Sequence, residues 1–347
     1  MPDNFLKRRD IGKLIASVRD AGGRFVAPAL AARQAVYKDI SSAEELDDDY
    51  ILPRNSYKEL VFPQTEVIAD FTIGKDGVGL KGRDVTGRDT VVFGARPCEA
   101  ASLESLRSVF TWGFIDEFCT KREDRLVVIT IACTKADGAC FCTTVDLSPK
   151  SVTGSDVALS ETDAGDYLVH SVSEKGKAFI AKHSDVFKAK PSADAVVKPI
   201  IMPERIKGVD LEKIKKFLSD TAHYENPVWP ELTRKCIGCG ACTYVCPTCH
   251  CFDITDEATA YGGKTPFEGE RRKNWDACQF DNFTLHASGH NPRDTQFKRW
   301  RNRFMCKFNY YPKKFSSKGC VGCGRCIRVC PVRLDITEVM EAISKRP

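Results

Sequence analysis

The chain has 347 residues, 42% of them hydrophobic, and a formal net charge of +5 with every cysteine counted as neutral, so it can bury the cores of about two domains. Its 17 cysteines are odd in number and concentrated in short motifs, which argues against a secreted disulfide framework and favours metal ligation in a reducing compartment. We therefore expect a cytoplasmic protein, because no apolar export region follows the N-terminus and no segment approaches a membrane span.

The first predicted element is an amphipathic helix over residues 4–20. Apolar side chains recur there at helical spacing and Gly22-Gly23 follows them; they are Phe5, Leu6, Ile11, Leu14, Ile15 and Val18. From about residue 24 to residue 80 the pattern is mixed and interrupted by prolines, which predicts short strands and loops.

A strand–helix–strand unit is predicted next. Residues 89–95 and 125–132 are apolar and β-branched, and residues 98–110 between them are rich in helix formers. A connection of this length gives two parallel strands whose carboxyl ends share one edge of a sheet. Functional sites of open α/β sheets collect at that edge.

Four cysteines are predicted to lie at this edge of the sheet, namely Cys98, Cys133, Cys140 and Cys142. Four thiolates are enough for a [4Fe-4S] cluster, and we predict one there. The alternatives are a four-cysteine zinc site and buried free cysteines that pack as small hydrophobic side chains.

The middle of the chain is predicted to contain a hairpin and a helix, followed by a domain boundary. Residues 156–174 alternate on either side of a turn and predict a hairpin, and residues 203–222 have the spacing of an amphipathic helix. Asn226-Pro227 and Trp229-Pro230 follow, after which the density of cysteines rises. We therefore predict an N-terminal domain over 1–224 and a C-terminal domain over 225–347.

Two runs with the spacing C-x2-C-x2-C-x3-C-P dominate the C-terminal part. Run 1 is CIGCGACTYVCP at 236–247, and run 2 is CVGCGRCIRVCP at 320–331. Three cysteines in one glycine-containing loop suit a [4Fe-4S] cluster, whereas zinc ribbons use two separate C-x2-C pairs.

In two-cluster ferredoxins the fourth cysteine of each run ligates the other cluster. Site 1 is therefore predicted to consist of Cys236, Cys239, Cys242 and Cys330. Site 2 is predicted to consist of Cys320, Cys323, Cys326 and Cys246. Clusters fully ligated by protein conduct electrons and have no open position for a substrate, so we predict no catalytic residue here.

The long insertion between the runs, residues 252–319, and the segment before it carry further cysteines. Cys249 and Cys251 form a C-x-C pair like Cys140 and Cys142, and Cys278 follows in the insertion. These three thiolates form a candidate for a fourth cluster that Cys306 or His250 would complete. The alternative is that they pack around the two ferredoxin-type clusters and screen them from water.

Residues 293–318 are strongly basic and aromatic, a composition found on nucleic-acid surfaces. We favour support of a cluster or docking of a protein, because each oxidised cluster with four thiolates carries about −2 and offsets the basic excess. Nucleic acid is therefore not expected as a partner.

Taken together, RPCE, C-x6-C-F-C, KCIGCGACTYVCPTCHCFD, WDAC and CVGCGRCIRVCP resemble the iron–sulfur subunit shared by the anaerobic sulfite reductases and the soluble sulfhydrogenases, in which it is the beta subunit. The resemblance runs from about residue 50 to the C-terminus. The chain departs from that pattern at Glu99, where Asp is usual, and at Cys306, where His is common.

The elements in chain order predict an N-terminal mixed α/β domain with a βαβ unit, followed by a dicluster ferredoxin-like domain with a long insertion. The resemblance implies an electron-transfer subunit between a flavin subunit linked to NAD(P)H or ferredoxin and a catalytic subunit of hydrogenase, sulfite or sulfur reductase, or heterodisulfide reductase type. Flavin and NAD are expected on the partner, since GKDGVG at 74–79 does not fit a dinucleotide fingerprint. The alternatives are a catalytic reductase that uses the N-terminal cluster and an iron–sulfur nucleic-acid-binding protein.

Overall fold

Two sheets carry the loops in which the candidate ligands lie. The computed structural model describes residues 4–85, 87–189, 195–259, 267–315 and 317–346. The strands of this part of the chain are β1 (Asn4–Leu6), β2 (Arg24–Ala31), β3 (Gln34–Asp39), β4 (Thr65–Gly74), β5 (Gly77–Gly82), β6 (Thr90–Ala95), β7 (Leu126–Ile131), β8 (Val157–Glu161), β9 (Tyr167–Ser171), β10 (Phe187–Ala189), β11 (Phe252–Ala258) and β12 (Phe267–Trp275).

The larger sheet has the strand order β10-β1-β9-β8-β7-β6-β2-β3. Strands β2, β6, β7 and β8 are parallel, and the strands at both margins are antiparallel. The central strands are apolar throughout because both faces of the sheet are covered. Val91 and Phe93 enter one core, and Val92 enters the other.

The helices pack on these sheets and around the cysteine loops. In the described residues they are α1 (Ile11–Asp20), α2 (Pro97–Ala100), α3 (Ser102–Phe110), α4 (Glu117–Asp124), α5 (Glu174–Lys182), α6 (Leu211–Ser219), α7 (Val228–Thr233), α8 (Ala241–Tyr244), α9 (Gln296–Met305), α10 (Tyr311–Lys314), α11 (Arg325–Val329) and α12 (Ile336–Ser344). A π-helical turn, Cys306–Tyr310, joins α9 to α10.

The predicted strand–helix–strand unit is confirmed. Strands β6 and β7 are parallel, with Val91 opposite Val127, and α2 and α3 lie between them in the chain. The predicted hairpin is also confirmed, because β8 and β9 pair antiparallel. A mixed α/β architecture therefore holds, as predicted.

Two helix predictions need correction. Residues 4–6 form β1, which pairs with β9 and β10, and the helix begins only at Ile11. The helix expected over 203–222 spans Leu211–Ser219, because Gly208 has a φ of +82° and Asp210 caps the helix by accepting hydrogen bonds from two backbone amides. In both cases local apolar spacing overstated the length of the helix.

The smaller sheet joins distant parts of the chain. Its order is β11-β12-β4-β5, so two strands come from before residue 225 and two from the insertion after it. Strand β12 pairs with β4 along its length, and Trp275 enters the same core as Phe62. The division at 224 and 225 therefore stays a prediction about the chain, and this sheet spans it.

A third core lies beside the cysteine runs. Trp229, Trp300 and Phe304 are buried in it, together with residues of α6 and α12. Phe141, from the loop between Cys140 and Cys142, enters the same core. The N-terminal cysteine loop and the C-terminal runs are thus held by one continuous hydrophobic cluster.

Candidate metal centres

Site 1 surrounds a small cavity. Cys236, Cys239, Cys242 and Cys330 all line a cavity of about 40 Å³, and Cys326 lines it as well. The first three come from the loop that precedes and enters α8, and Cys330 follows α11. The structure thus brings the predicted ligands from both runs together at one point.

The two runs adopt the same backbone conformation. Gly238 and Gly240 have φ values of +70° and +71°, and their counterparts Gly322 and Gly324 have +63° and +72°. A side chain at these positions would be strained, so glycine permits the loop to turn repeatedly around its cysteines. Helices α8 and α11 begin directly after these loops.

Site 2 lies against site 1. The thiols of Cys320, Cys323 and Cys326 are buried, which raises their pKa to about 11, 11 and 12, and the Cys246 thiolate contributes to each of these increases. Buried thiols of this kind ionise readily only when positive charge reaches them, as iron would supply. Cys246 itself accepts a hydrogen bond from Lys307 Nζ at 3.2 Å.

Site 3 lies at the carboxyl edge of β6 and β7. Cys98, Cys133, Cys140 and Cys142 line a single cavity of about 30 Å³, a volume close to that of the cavity at site 1. Arg328, from run 2, donates to Cys140 Sγ at 3.2 Å and forms an ion pair with Asp137. The four cysteines that topology predicted to converge are therefore neighbours.

Sites 2 and 3 adjoin each other directly. Cys323 lines the cavity of site 3, and the amide of Phe141 donates to the carbonyl of Gly322 at 3.0 Å. Glu99, the residue after Cys98, forms a fully buried ion pair with Arg325, which lies between two cysteines of run 2. Removing one partner of such a pair typically costs about 3–5 kcal/mol, so it fixes the two loops relative to each other.

Four further cysteines form a fourth group, site 4, namely Cys249, Cys251, Cys278 and Cys306. Strands β11 and β12 pair Phe252 with Trp275, which places Cys251 near Cys278 at the open end of the hairpin. The neighbouring Cys278 thiol raises the pKa of Cys251, and the thiolates of Cys249 and Cys306 raise it further. Cys306 begins the π-helical turn.

His250 interacts with other groups. Its Nδ1 donates to the carbonyl of Thr248 at 3.2 Å, and its ring lies 5.6 Å from that of Tyr311. Burial lowers the pKa of His250 to about 4, so the imidazole is neutral at pH 7. Of the two residues that the sequence offered to complete site 4, Cys306 is favoured, because its charge acts on the pKa of Cys251 and the charge of Cys278 acts on its own pKa.

One cysteine lies apart from the four sites. Cys119 packs in a hydrophobic core with Phe110 and Trp275, and burial raises its pKa to about 12. It behaves as a small hydrophobic side chain, so its substitution is the control for substitutions of the cysteines in the four sites.

Buried cations surround sites 1, 2 and 4. Lys58, Arg303 and Lys307 are all buried, and in the described residues none of them pairs with a carboxylate. Burial opposes the charge of Lys307, but the thiolates of Cys246 and Cys249 outweigh it and raise the pKa of the lysine. Positive charge of this kind matches anionic clusters.

The central part of the basic aromatic segment 293–318 contributes several buried side chains. Trp300, Arg301, Arg303, Phe304 and Phe308 are buried. Rings that are buried in a core cannot stack on bases, which argues against a nucleic-acid surface and supports the cluster-support interpretation.

Two arginines of run 2 were not recognised from the sequence. Arg325 and Arg328 occupy positions that Ala241 and Tyr244 hold in run 1, and they contact Glu99 and Cys140, respectively, at or beside site 3. This difference between two otherwise matching runs was visible in the sequence and marks run 2 as the one that faces site 3.

The donor sets of sites 1 and 3 fit iron–sulfur clusters. Across the described ranges, no group of three or more His, Cys, Asp or Glu side chains is arranged to hold one metal ion. Sites 1 and 3 instead place cysteines around a cavity. Four thiolates around a small volume are the donor set of a [4Fe-4S] cluster.

Comparison with known proteins agrees with this geometry. Residues 235–334 match the family model for a 4Fe-4S dicluster domain. The chain is also 30% identical over 349 residues to sulfhydrogenase 2 subunit beta of Pyrococcus furiosus, a match that covers 99% of this chain and 95% of that protein. The chain belongs to the sulfhydrogenase beta-subunit family. No solved structure matches it.

Membership of this family confirms the predicted class, an iron–sulfur electron-transfer protein that is a subunit of an oxidoreductase. The match extends through the N-terminal half, which the dicluster model does not cover. The described helices include none that is both long enough and apolar enough to span a bilayer.

Proposed function

We propose that the chain is a non-catalytic electron-transfer subunit that connects a flavin-containing subunit, linked to NAD(P)H or ferredoxin, to a catalytic oxidoreductase subunit. Clusters bound at sites 1, 2 and 3 would accept and donate single electrons. The relative from Pyrococcus furiosus is named as a subunit of a sulfhydrogenase, which supports a multi-subunit setting. A cytoplasmic location and the division into domains 1–224 and 225–347 belong to the same proposal.

One observation carries the proposal: two cysteines of site 2 each line the cavity of a neighbouring site. Cys326 lines the cavity of site 1, and Cys323 lines the cavity of site 3. Because residues of site 2 line the cavities of sites 1 and 3, the three donor sets form a continuous array across the two predicted domains. An array of this kind suits electron transfer between two docking surfaces.

Site 1 reaches the protein surface. Cys239 is exposed, and the neighbouring Ile237 is 65% exposed. A large apolar side chain beside a ligand cysteine is unfavourable in water and favours contact with another protein. We therefore assign this end of the array to a partner subunit.

The function is tested on the complex purified anaerobically from the native organism. We expect a catalytic subunit to co-purify together with a flavin-containing one, and NAD(P)H or reduced ferredoxin to bleach the iron–sulfur absorbance of the complex. The isolated chain should not react with NAD(P)H. An Ile237→Glu variant should slow reduction within the complex at least tenfold, because a charge is buried at the contact.

The matched control is Ile254→Glu, since Ile254 is 53% exposed on β11, away from site 1. It should leave the rate of reduction unchanged. Turnover of a small electron acceptor by the isolated chain with NAD(P)H would contradict the proposal and favour a catalytic role for this chain.

Site 4 belongs to the proposal as a fourth cluster held by Cys249, Cys251, Cys278 and Cys306. Four sets of four ligands account for every cysteine except Cys119, which lies in a hydrophobic core. The neighbouring thiols of Cys246 and Cys249 shift each other's pKa in opposite directions, so site 4 adjoins site 2. The nearby Cys278 thiolate raises the pKa of Cys242, so site 4 also adjoins site 1.

A Cys306→Ala variant of the intact chain should lose about four irons and about four sulfides after anaerobic reconstitution, because a [4Fe-4S] cluster needs its four protein ligands. Metal analysis and the EPR spectrum of the reduced protein measure the loss. Cys119→Ala is the control and should retain the full content. An unchanged iron content in the Cys306 variant would mean that Cys306 is not a ligand.

A further inference from the structure

Lys307 makes an unusual set of contacts for a buried lysine. It is 4% exposed, and its Nζ donates to Cys246 Sγ at 3.2 Å, to Thr248 Oγ1 at 2.9 Å and to the carbonyl oxygen of Gly319 at 3.0 Å. All three partners are acceptors, so all three hydrogens of an ammonium group are used. Nothing in the relay of electrons described above requires this arrangement.

The lysine has thiolates as its counter-charges. Arg325 is also buried, and it pairs with the carboxylate of Glu99. Within the described ranges Lys307 has no such partner, and the anionic groups that act on it are the sulfurs of Cys246, Cys249 and Cys320. Burying a lone cation is costly, so this ammonium group is stabilised only when negative charge lies at the cysteines.

Lys307 also contacts the end of run 1 and the residue before the start of run 2. Cys246 is the last cysteine of run 1, and Gly319 immediately precedes Cys320 of run 2. A side chain at Gly319 would meet the backbone of Lys307 at 2.5 Å, so the two segments are in close contact. Thr248 donates to the carbonyl of Gly319 at 2.9 Å and completes the network.

We propose that Lys307 is a positioning residue that raises the reduction potential of the cluster at site 2 through a charged N–H···S hydrogen bond to Cys246. Hydrogen bonds to ligand sulfurs and nearby charge are two of the determinants of cluster potential. A fixed cation stabilises the reduced cluster, which carries one more negative charge than the oxidised one. The inference rests on the proposed function, because it requires a cluster at site 2 with Cys246 as a ligand.

The test is an EPR-monitored redox titration of the intact, anaerobically reconstituted chain. Lys307→Met removes both the charge and the donor while keeping a long apolar stem. It should lower the equilibrium constant for one-electron reduction of one cluster at least tenfold, which is about 59 mV. Lys307→Gln keeps N–H donors without the charge and should give a smaller shift in the same direction.

Lys313→Met is the matched control, since Lys313 is exposed on α10, six residues away. It should leave every potential unchanged. Iron and sulfide are counted for each variant, so loss of a cluster is distinguished from a shift in its potential. Full iron content with unchanged potentials in either Lys307 variant would overturn the inference.

A measurement on the unaltered chain covers the case in which both variants lose the cluster. With lysine Nζ labelled with 15N, the reduced cluster at site 2 should show a 15N hyperfine coupling. Absence of any lysine coupling would overturn the inference whatever the variants do. A chain that binds no iron at site 2 would instead contradict the proposed function itself.

Discussion

A Cys330→Ala variant should lose the cluster of site 1 and keep that of site 2, although Cys330 belongs to run 2. The two runs lie side by side, and Cys330 lines the same cavity as Cys236, Cys239 and Cys242. Loss of one of four ligands should remove about four irons and about four sulfides per chain. Metal analysis and EPR of the reduced, intact chain measure both changes.

Two further variants identify which cluster is lost. Cys236→Ala removes another ligand of site 1, so its EPR spectrum should match that of Cys330→Ala. Cys323→Ala removes a ligand of site 2 and should give a different spectrum. If Cys330→Ala matched Cys323→Ala instead, the crossover would be wrong and each run would bind its own cluster.

Cys326 gives this comparison a second use. It lines the cavity of site 1 although the spacing assigns it to site 2. A Cys330 variant that kept all its iron would indicate that Cys326 can replace the missing ligand.

The sequence was most informative where the chemistry is local. Cysteine spacing within a run fixes the loop geometry, because successive thiolates three residues apart must face one centre when glycines allow the turn. The strand–helix–strand unit was predictable for the same reason, since a short right-handed crossover leaves little choice of topology. Together these two patterns led to sites 1, 2 and 3.

Contacts between distant segments were not predictable. The pairing of β4 with β12 joins residues about 200 positions apart, and no local sequence pattern predicts it. The three strand residues Asn4–Leu6 were assigned to a helix because their apolar side chains fit both periods over so short a span. Strand pairing with β9 and β10 decided the outcome.

The same limit applies to the candidate sites. Cys306 and His250 were equivalent completions of site 4 from the sequence, and only the structure separates them, because Cys306 lies close enough to Cys251 for its charge to raise the pKa of that thiol. The basic aromatic segment was ambiguous because composition does not reveal which side chains are buried. Arg303 and Lys307 lie inside among thiolates, which composition alone cannot show.

A Cys98→Ser variant of the intact chain should lose the cluster of site 3 and keep those of sites 1 and 2. Site 3 lies at the carboxyl edge of β6 and β7, where Cys98 and Cys133 leave the sheet and the loop carrying Cys140 and Cys142 covers it. A serine hydroxyl is a much poorer ligand for iron than a thiolate, so about four irons and about four sulfides should be lost. Metal analysis and EPR give the measurement.

The control for this prediction is Cys119→Ser, which places a hydroxyl at a buried cysteine outside all four sites and should leave the iron content unchanged. Zinc is measured alongside iron, because a four-cysteine zinc site was the main alternative. If the unaltered chain bound one zinc that Cys98→Ser removed, site 3 would be a structural zinc site. If Cys98→Ser changed neither iron nor zinc, the four cysteines would be a buried cluster of free thiols. In both cases the array would end at site 2.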